Sequence, residues 1–388
     1  MQRTGISMAK TLQLGWNGAD HRVKWSVHQW EIITMKKSRR IIKIVLIVVG
    51  VLLVVFVVAS FMLINHFMKE YFNRSEQKKY SEYMRWADFE DFPRETVTFA
   101  SGSETLTGYI YGKDKPAKGL VVISHGLGGY SEGYISETKY FVDNGFMVFA
   151  YDNTGSGAST GDSCIGLVQS ALDLDNALTY VEQNPVFEGL PICLYGHSWG
   201  GFATTAVLNF DHDIAAVASL AGYNESLQEM TYVGKSLIGS FIHVEKPFIW
   251  LTLRMTFGDK MNLTAADGIN HAVNTAVMII QGDQDDFVGF DGPCIYTNRD
   301  KITRTDVKYV LLEGRKHGEL MMDYSEERLA YMEKLDAEYD QILAQYGDEV
   351  PDDVIKAWNN TIDKEMTSRL NEELFADIVD FYMEAIGE

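Results

Sequence analysis

Gly196-His197-Ser198-Trp199-Gly200 is the stretch of this sequence best suited to covalent chemistry. A serine flanked by glycines at this spacing fits a sharp strand-to-helix turn, because residues without side chains two places before and two after let the backbone approach closely. Gly201 adds room. A serine hydroxyl is a weak nucleophile. It needs a histidine to take its proton and a carboxylate to orient that histidine. The chemistry within reach is attack on a carbonyl carbon and transfer of its acyl group.

Position narrows the partners. Of the nine histidines, His21, His28 and His66 fall in or beside an apolar N-terminal run, and His197 lies inside the turn, facing away from its neighbour's hydroxyl. His212, His243 and His271 sit in helical or linking segments and read as ordinary polar residues. His317, in Glu313-Gly-Arg-Lys-His-Gly318, follows the last apolar run and is expected to be the base. The acid should lie between serine and histidine in chain order. Asp283, Asp285 and Asp286 compete for the role in Gln281-Gly-Asp-Gln-Asp-Asp-Phe-Val288, and the spacing Gly282-x-x-Asp285-x-x-Val288 favours Asp285.

Ser124-His125-Gly126-Leu127-Gly128-Gly129 offers a second glycine-rich loop. The backbone N–H groups of Leu127 and Trp199 are expected to hold a developing oxyanion, and losing one such donor costs roughly 10²–10³ in turnover. His125, Gly126, Gly196 and Gly200 support this geometry, with His125 a structural hydrogen-bonder. No Cys-x-x-Cys or Cys/His ligand spacing occurs, so no structural zinc is expected. Three cysteines, Cys164, Cys193 and Cys294, make no disulfide framework, and Cys193 reads as a buried strand residue.

The elements that must carry these residues follow from the apolar pattern. Thr96–Ala100 and Leu106–Tyr111 read as an antiparallel pair turning at residues 101–103. Residues 119–124, 146–151, 190–195, 214–220, 276–280 and 307–312 are short apolar runs, the pattern of strands buried on both faces. Helical stretches alternate with them, which implies a mostly parallel sheet with helices on both faces. In such sheets the chemistry gathers at the carboxyl ends of the strands. The expected class is α/β.

Two segments interrupt the alternation. Tyr223–His271, rich in Met, Phe, Tyr and Trp, is expected to be a helical cap that buries its own apolar face and lines a pocket. Residues 324–366 are expected to be an inserted helical hairpin. One apolar stripe runs through Leu329, Met332, Leu335, Tyr339, Ile342, Leu343 and Tyr346, and a second through Val354, Trp358, Ile362, Met366 and Leu370. No Gly or Pro falls between 352 and 386, so the second helix is expected to run on, with core packing its main role.

The N-terminus reads differently. Ile44–Ile64 holds no charge over 21 residues, about 31 Å of helix at ~1.5 Å per residue, the thickness of a bilayer core. A transmembrane helix is expected over 41–64. A cleaved signal peptide fits less well, because its apolar region is usually 7–15 residues. Lys36, Lys37, Arg39, Arg40 and Lys43 crowd the N-terminal flank, so residues 1–40 are expected in the cytoplasm and the catalytic domain outside the cell, a single-pass cell-membrane protein. Met35 resembles a natural start, leaving 1–34 as an artefact of start assignment or a disordered tail. Residues 65–92 read as a mostly helical charged stalk before a domain at 93–388. The net charge is −20, carried by the part after the apolar run, which excludes nucleic acid as a natural partner.

Taken together, the blocks Ser124–Gly129, Tyr151–Gly161, Gly196–Gly201 and Gly282–Val288 with His317 resemble the α/β-hydrolase superfamily, nearest the branch of monoacylglycerol lipases, lysophospholipase-like enzymes and serine aminopeptidase-type hydrolases. The resemblance covers about residues 95–320 plus Asn371–Ile386 as a closing helix. It implies an α/β-hydrolase fold and cofactor-free hydrolysis through an acyl-enzyme. That branch usually reads Asp-x-Arg-Gly-x-Gly-x-Ser in the second block. Asn153-Thr154 departs from it, so any ion pair of that arginine is absent. The expected function is a membrane-anchored serine hydrolase of a small or acyl ester. The alternatives are a serine aminopeptidase or amidase acting on a short peptide, and a non-catalytic binding protein on the same fold.

Overall fold

A computed structural model describes residues 20–347 and 349–388, with side chains from Gln29 onward. The suggested tail at 1–34 lies partly outside the described residues. Its last fifteen residues are helical, since helix α1 spans Asp20–Tyr71. The chain divides into a unit ending at Met62 and a second unit from Leu63 to Glu388. In the first unit the valine, leucine and isoleucine side chains between Ile44 and Val58 are exposed. The helix is long and apolar enough to cross a membrane.

In the second unit the strands are β1 (Arg94–Ser101), β2 (Glu104–Tyr111), β3 (Leu120–Ser124), β4 (Met147–Tyr151), β5 (Ile192–His197), β6 (Ile214–Leu220), β7 (Ala276–Gly282) and β8 (Lys308–Leu312). The α-helices are α2 (Ile135–Asp143), α3 (Gln169–Gln183), α4 (Trp199–Ala206), α5 (Ser226–Ile238), α6 (Ile242–Phe257), α7 (Ala265–His271), α8 (Glu326–Tyr346), α9 (Asp352–Asn359), α10 (Lys364–Thr367) and α11 (Glu372–Ile386). The strands form one sheet in the order β1-β2-β4-β3-β5-β6-β7-β8. β2 runs antiparallel to both its neighbours, and every pairing from β4 to β8 is parallel. This is the α/β-hydrolase fold.

Alternate residues of the central strands feed two apolar layers, as period-two geometry demands. Leu120, Val122, Phe149, Leu194 and Val217 meet Leu174 and Leu178 of α3 on one face. Val121, Ile123, Val148, Tyr195 and Ala218 meet Phe141 of α2 and Phe375, Ile378 and Tyr382 of α11 on the other. The Tyr382 hydroxyl donates to the Leu194 carbonyl at 2.6 Å, which satisfies the polar end of a fully buried ring. Burial of both faces explains why these strands read as unbroken apolar runs.

The structure departs from the sequence reading in four places. The 65–92 segment is α-helical only to Tyr71, with one 3-10 turn at Trp86–Asp88. Beyond Tyr71, Asn73 and Ser75 pair their backbones with Ser163 and Ser156, and Phe72 is buried. Arg74 donates to the carbonyls of Gly157, Ser159 and Gly161. This segment is therefore part of the second unit and not a free stalk. The cap is narrower than 223–271, because Ala265, Ala266 and Ile269 of α7 join the main apolar layer.

The helix after α8 does not run on. Asp363 and Asn371 each cap a new helix, accepting from Met366 N–H and Leu374 N–H, so local side-chain bonds break a sequence that lacks Gly and Pro. The α8 stripe, finally, is not core. Leu335 is buried, but Leu329 and Tyr346 are exposed. The remaining stripe residues are half-buried.

Candidate active site

β5 delivers Ser198 into a turn with φ 59° and ψ −115°, a conformation that L-residues rarely hold. Backbone bonds pin it: Ser198 N–H donates to Leu220 O at 2.8 Å and Phe202 N–H to Ser198 O at 2.9 Å. The glycines are required by packing. A Cβ at Gly196 would lie 2.3 Å from the Gly200 carbonyl oxygen, and one at Gly200 would lie 1.9 Å from that of Ser124.

His317 sits in the loop after β8, with its Nε2 2.8 Å from Ser198 Oγ and its Nδ1 2.9 Å from Asp285 Oδ2. Gly282 makes this approach feasible, since a Cβ there would lie 2.3 Å from the Arg315 carbonyl oxygen. The Asp285 side chain is fully buried and saturated with donors. Gln281 Nε2 also donates to Oδ2 at 2.8 Å, and the N–H groups of Phe287 and Val288 donate to Oδ1 at 3.0 Å each. Burial alone would raise this acid. The His317 contact, followed by the Val288 N–H and Gln281, outweighs burial and holds the carboxyl below its ordinary range, so it is ionised. Of the competing aspartates, Asp283 accepts from Gly314 N–H at 2.7 Å, and Asp286 is exposed.

β3 lies beside β5 with Ser124 opposite Gly196, which brings the 124–129 loop alongside the serine turn. The N–H groups of Leu127 and Trp199 have no backbone acceptor among the described residues. His125 is buried and neutral, because burial lowers its pKa. Its Nε2 accepts from Asn153 N–H at 2.9 Å, which leaves Nδ1–H to donate to Gly126 O at 2.8 Å. Asn153, next to Thr154 at the arginine position of the family pattern, thus orients His125. Arg74 places a guanidinium against the carbonyls of the 157–161 loop. Cys164, Cys193 and Cys294 are all free and buried. His212 pairs with Asp175 and Glu182, and His271 bonds Leu208 O.

Two supporting residues were not legible beforehand. Tyr134 OH accepts from Gly126 N–H at 2.9 Å and lies 3.2 Å from His197 Nδ1, while His197 Nε2 donates to His317 O at 2.9 Å. This chain ties the glycine loop to the histidine loop. It requires a neutral His197, and burial, with the neighbouring His317 adding to it, pushes that pKa down to about 3. His197 stood inside the motif, but nothing in the sequence links it to residue 134 or 317.

Glu229 is the third unforeseen group. It is buried, and its Oε2 has no hydrogen-bond partner among the described residues. Burial first, and Asp285 second, hold its carboxyl well above the ordinary 4.5. An acid whose folded pKa is raised loses stability as pH climbs past its unfolded value, by up to about 1.4 kcal/mol per pH unit until the folded pKa is reached. Glu229→Gln is therefore expected to melt with wild type at pH 4 and above it at pH 8. Parallel melting curves across that range would contradict an ionisation penalty at this residue.

Residues 115–242 match the family model described as serine aminopeptidase, S33. The chain has the α/β-hydrolase fold and is similar to that family over residues 115–242. Among curated relatives, a polyketide transferase from Penicillium sp. is 30% identical over 133 residues, 33% of this chain and 45% of that protein. The Homo sapiens monoglyceride lipase is 32% identical over 85 residues, 22% of this chain and 28% of that enzyme. The chain thus spans less than half the length of these relatives. Among solved structures, a Pyrococcus furiosus esterase aligns with a TM-score of 0.48 at 14% identity, over 71% of this chain and 97% of that one.

Proposed function

We propose that this α/β-hydrolase is a membrane-anchored serine hydrolase that cleaves a carboxylic ester through an acyl-enzyme. The observation that carries the reading is the Ser198 Oγ to His317 Nε2 distance of 2.8 Å, with Asp285 on the far side of the ring at 2.9 Å. His317 takes the Ser198 proton as Oγ bonds to the ester carbon. The carbonyl oxygen becomes an oxyanion facing the Leu127 and Trp199 N–H groups. His317 then returns the proton to the leaving alkoxide as the ester C–O bond breaks. Water repeats the sequence on the acyl-enzyme and restores the serine. Asp285 stays ionised and holds the imidazolium.

The anchor would be the uncharged Ile44–Ile64 run, with the basic cluster at 36–43 retained in the cytoplasm and the enzyme outside. Resistance to carbonate extraction, together with cleavage of the enzyme unit by protease added to intact cells, tests both statements.

A peptide substrate is the second reading, favoured by the family match over 115–242. A panel of p-nitrophenyl esters against aminoacyl nitroanilides separates the two. The expected result is kcat/KM at least a hundredfold higher on the best ester. The reverse order would replace the esterase reading with the peptidase one. No turnover of either class by folded protein would favour a binding protein.

A further inference from the structure

A cavity of about 260 Å³ lies between the end of α1 and the two cap helices. Leu63, Ile64 and Phe67 of α1 face Met230 of α5 and Ile242 and Ile249 of α6 across it. Its only polar side chains, His66 and Glu70, are exposed. Leu63 and Ile64 are also the last two residues of the proposed membrane span, Ile44–Ile64. The residues that end this span are thus walls of the cavity.

Two further observations point the same way. The cap exposes Leu237, Phe241, Val244, Trp250, Leu251 and Met255, an apolar surface left uncovered among the described residues. Such a surface marks an interaction site, and the tryptophan suits the water-lipid boundary. Inward, Ile64, Met230, Ile242 and Ile249 share one apolar cluster with Trp199 and Val288. Trp199 follows the nucleophile, and Val288 donates its N–H to Asp285. Packed apolar side chains thus connect the walls of the cavity with the residues beside the reacting groups.

We infer that this cavity receives one acyl chain of a membrane lipid ester, drawn from the leaflet that holds α1, and that α1 forms part of the substrate site. The inference rests on the esterase reading and specifies its substrate class. At about 30 Å³ per water-sized unit, the cavity has room for roughly nine methylene groups. Chains near ten carbons fill it, and longer ones extend through the opening toward the bilayer.

The test uses the full chain in phosphatidylcholine nanodiscs, with p-nitrophenyl acetate and p-nitrophenyl decanoate as substrates. Leu63→Trp fills the cavity from a half-exposed position on α1. It is expected to lower kcat/KM for decanoate at least tenfold and to leave acetate within twofold. An equal effect on both esters, or on neither, would overturn the inference. A photoreactive diazirine analogue of decanoate, applied to the Ser198→Ala protein, supplies a readout independent of turnover. Cross-links are expected on residues 63–70 and 230–249 and should be lost in the Leu63→Trp background. Cross-links confined elsewhere would also overturn it. Absence of acetate turnover in wild type would count against the esterase reading, and the cross-linking result would still decide the cavity.

Discussion

His317→Ala is expected to lower ester turnover by about 10⁴–10⁶-fold, with little effect on folding. The rate loss follows from the position of the imidazole. In the proposed mechanism it is the base, 2.8 Å from Ser198 Oγ, and without it the hydroxyl keeps its proton at neutral pH. The folded state should survive, because the ring is partly exposed at 16% and stands on a loop against Phe287 and His197, outside the main apolar layers. Ser198→Ala should lose about as much, and the double variant no more than either alone, since groups acting as one unit do not contribute additively. Two separate losses that multiply would mean that His317 does not act through Ser198. Steady-state kinetics on a p-nitrophenyl ester, with melting curves on each variant, reads both outcomes.

Gly200→Ala should abolish folded protein. A methyl group there would sit 1.9 Å from the Ser124 carbonyl oxygen, 2.6 Å from its carbon and 3.0 Å from His125 O. All three are backbone atoms at the end of a central parallel strand, so relief requires moving β3 away from α4. Overpacking of this kind costs upwards of about 3 kcal/mol, a large part of the stability of an ordinary domain. Gly133→Ala is the control, because nothing lies within 4 Å of its Cβ and its φ is ordinary. Detergent-soluble yield and thermal melting should show loss of folded protein for the first and little change for the second. A Gly200→Ala protein that melts with wild type would mean that the turn is looser than drawn.

The strands and the serine turn were legible because both are local. Leu120–Ser124, Met147–Tyr151 and Ile192–His197 are apolar without alternation, which only a sheet covered on both faces explains. Gly196 and Gly200 mark a turn that tolerates no Cβ. The residues illegible in the sequence act across long separations. Tyr134 reaches His197 over 63 positions, and Arg74 reaches Gly157 over 83. Neither has a sequence signal, since any exposed tyrosine or arginine would look the same. The breaks at Asp363 and Asn371 failed for a different reason: caps are local, but the apolar stripe outweighed them when the segment was read as one helix. In α8 a stripe of the right period proved mostly half-buried, because periodicity reports a face and not what covers it.

The central claim is that Ser198 is the nucleophile. Its most direct test is to treat the full-length protein with a fluorophosphonate probe, digest it and locate the adduct by mass spectrometry. The expected result is one stoichiometric phosphonyl adduct on Ser198, strongly slowed in His317→Ala and absent in Ser198→Ala. An adduct on another serine, or no adduct on folded wild-type protein, would contradict the claim.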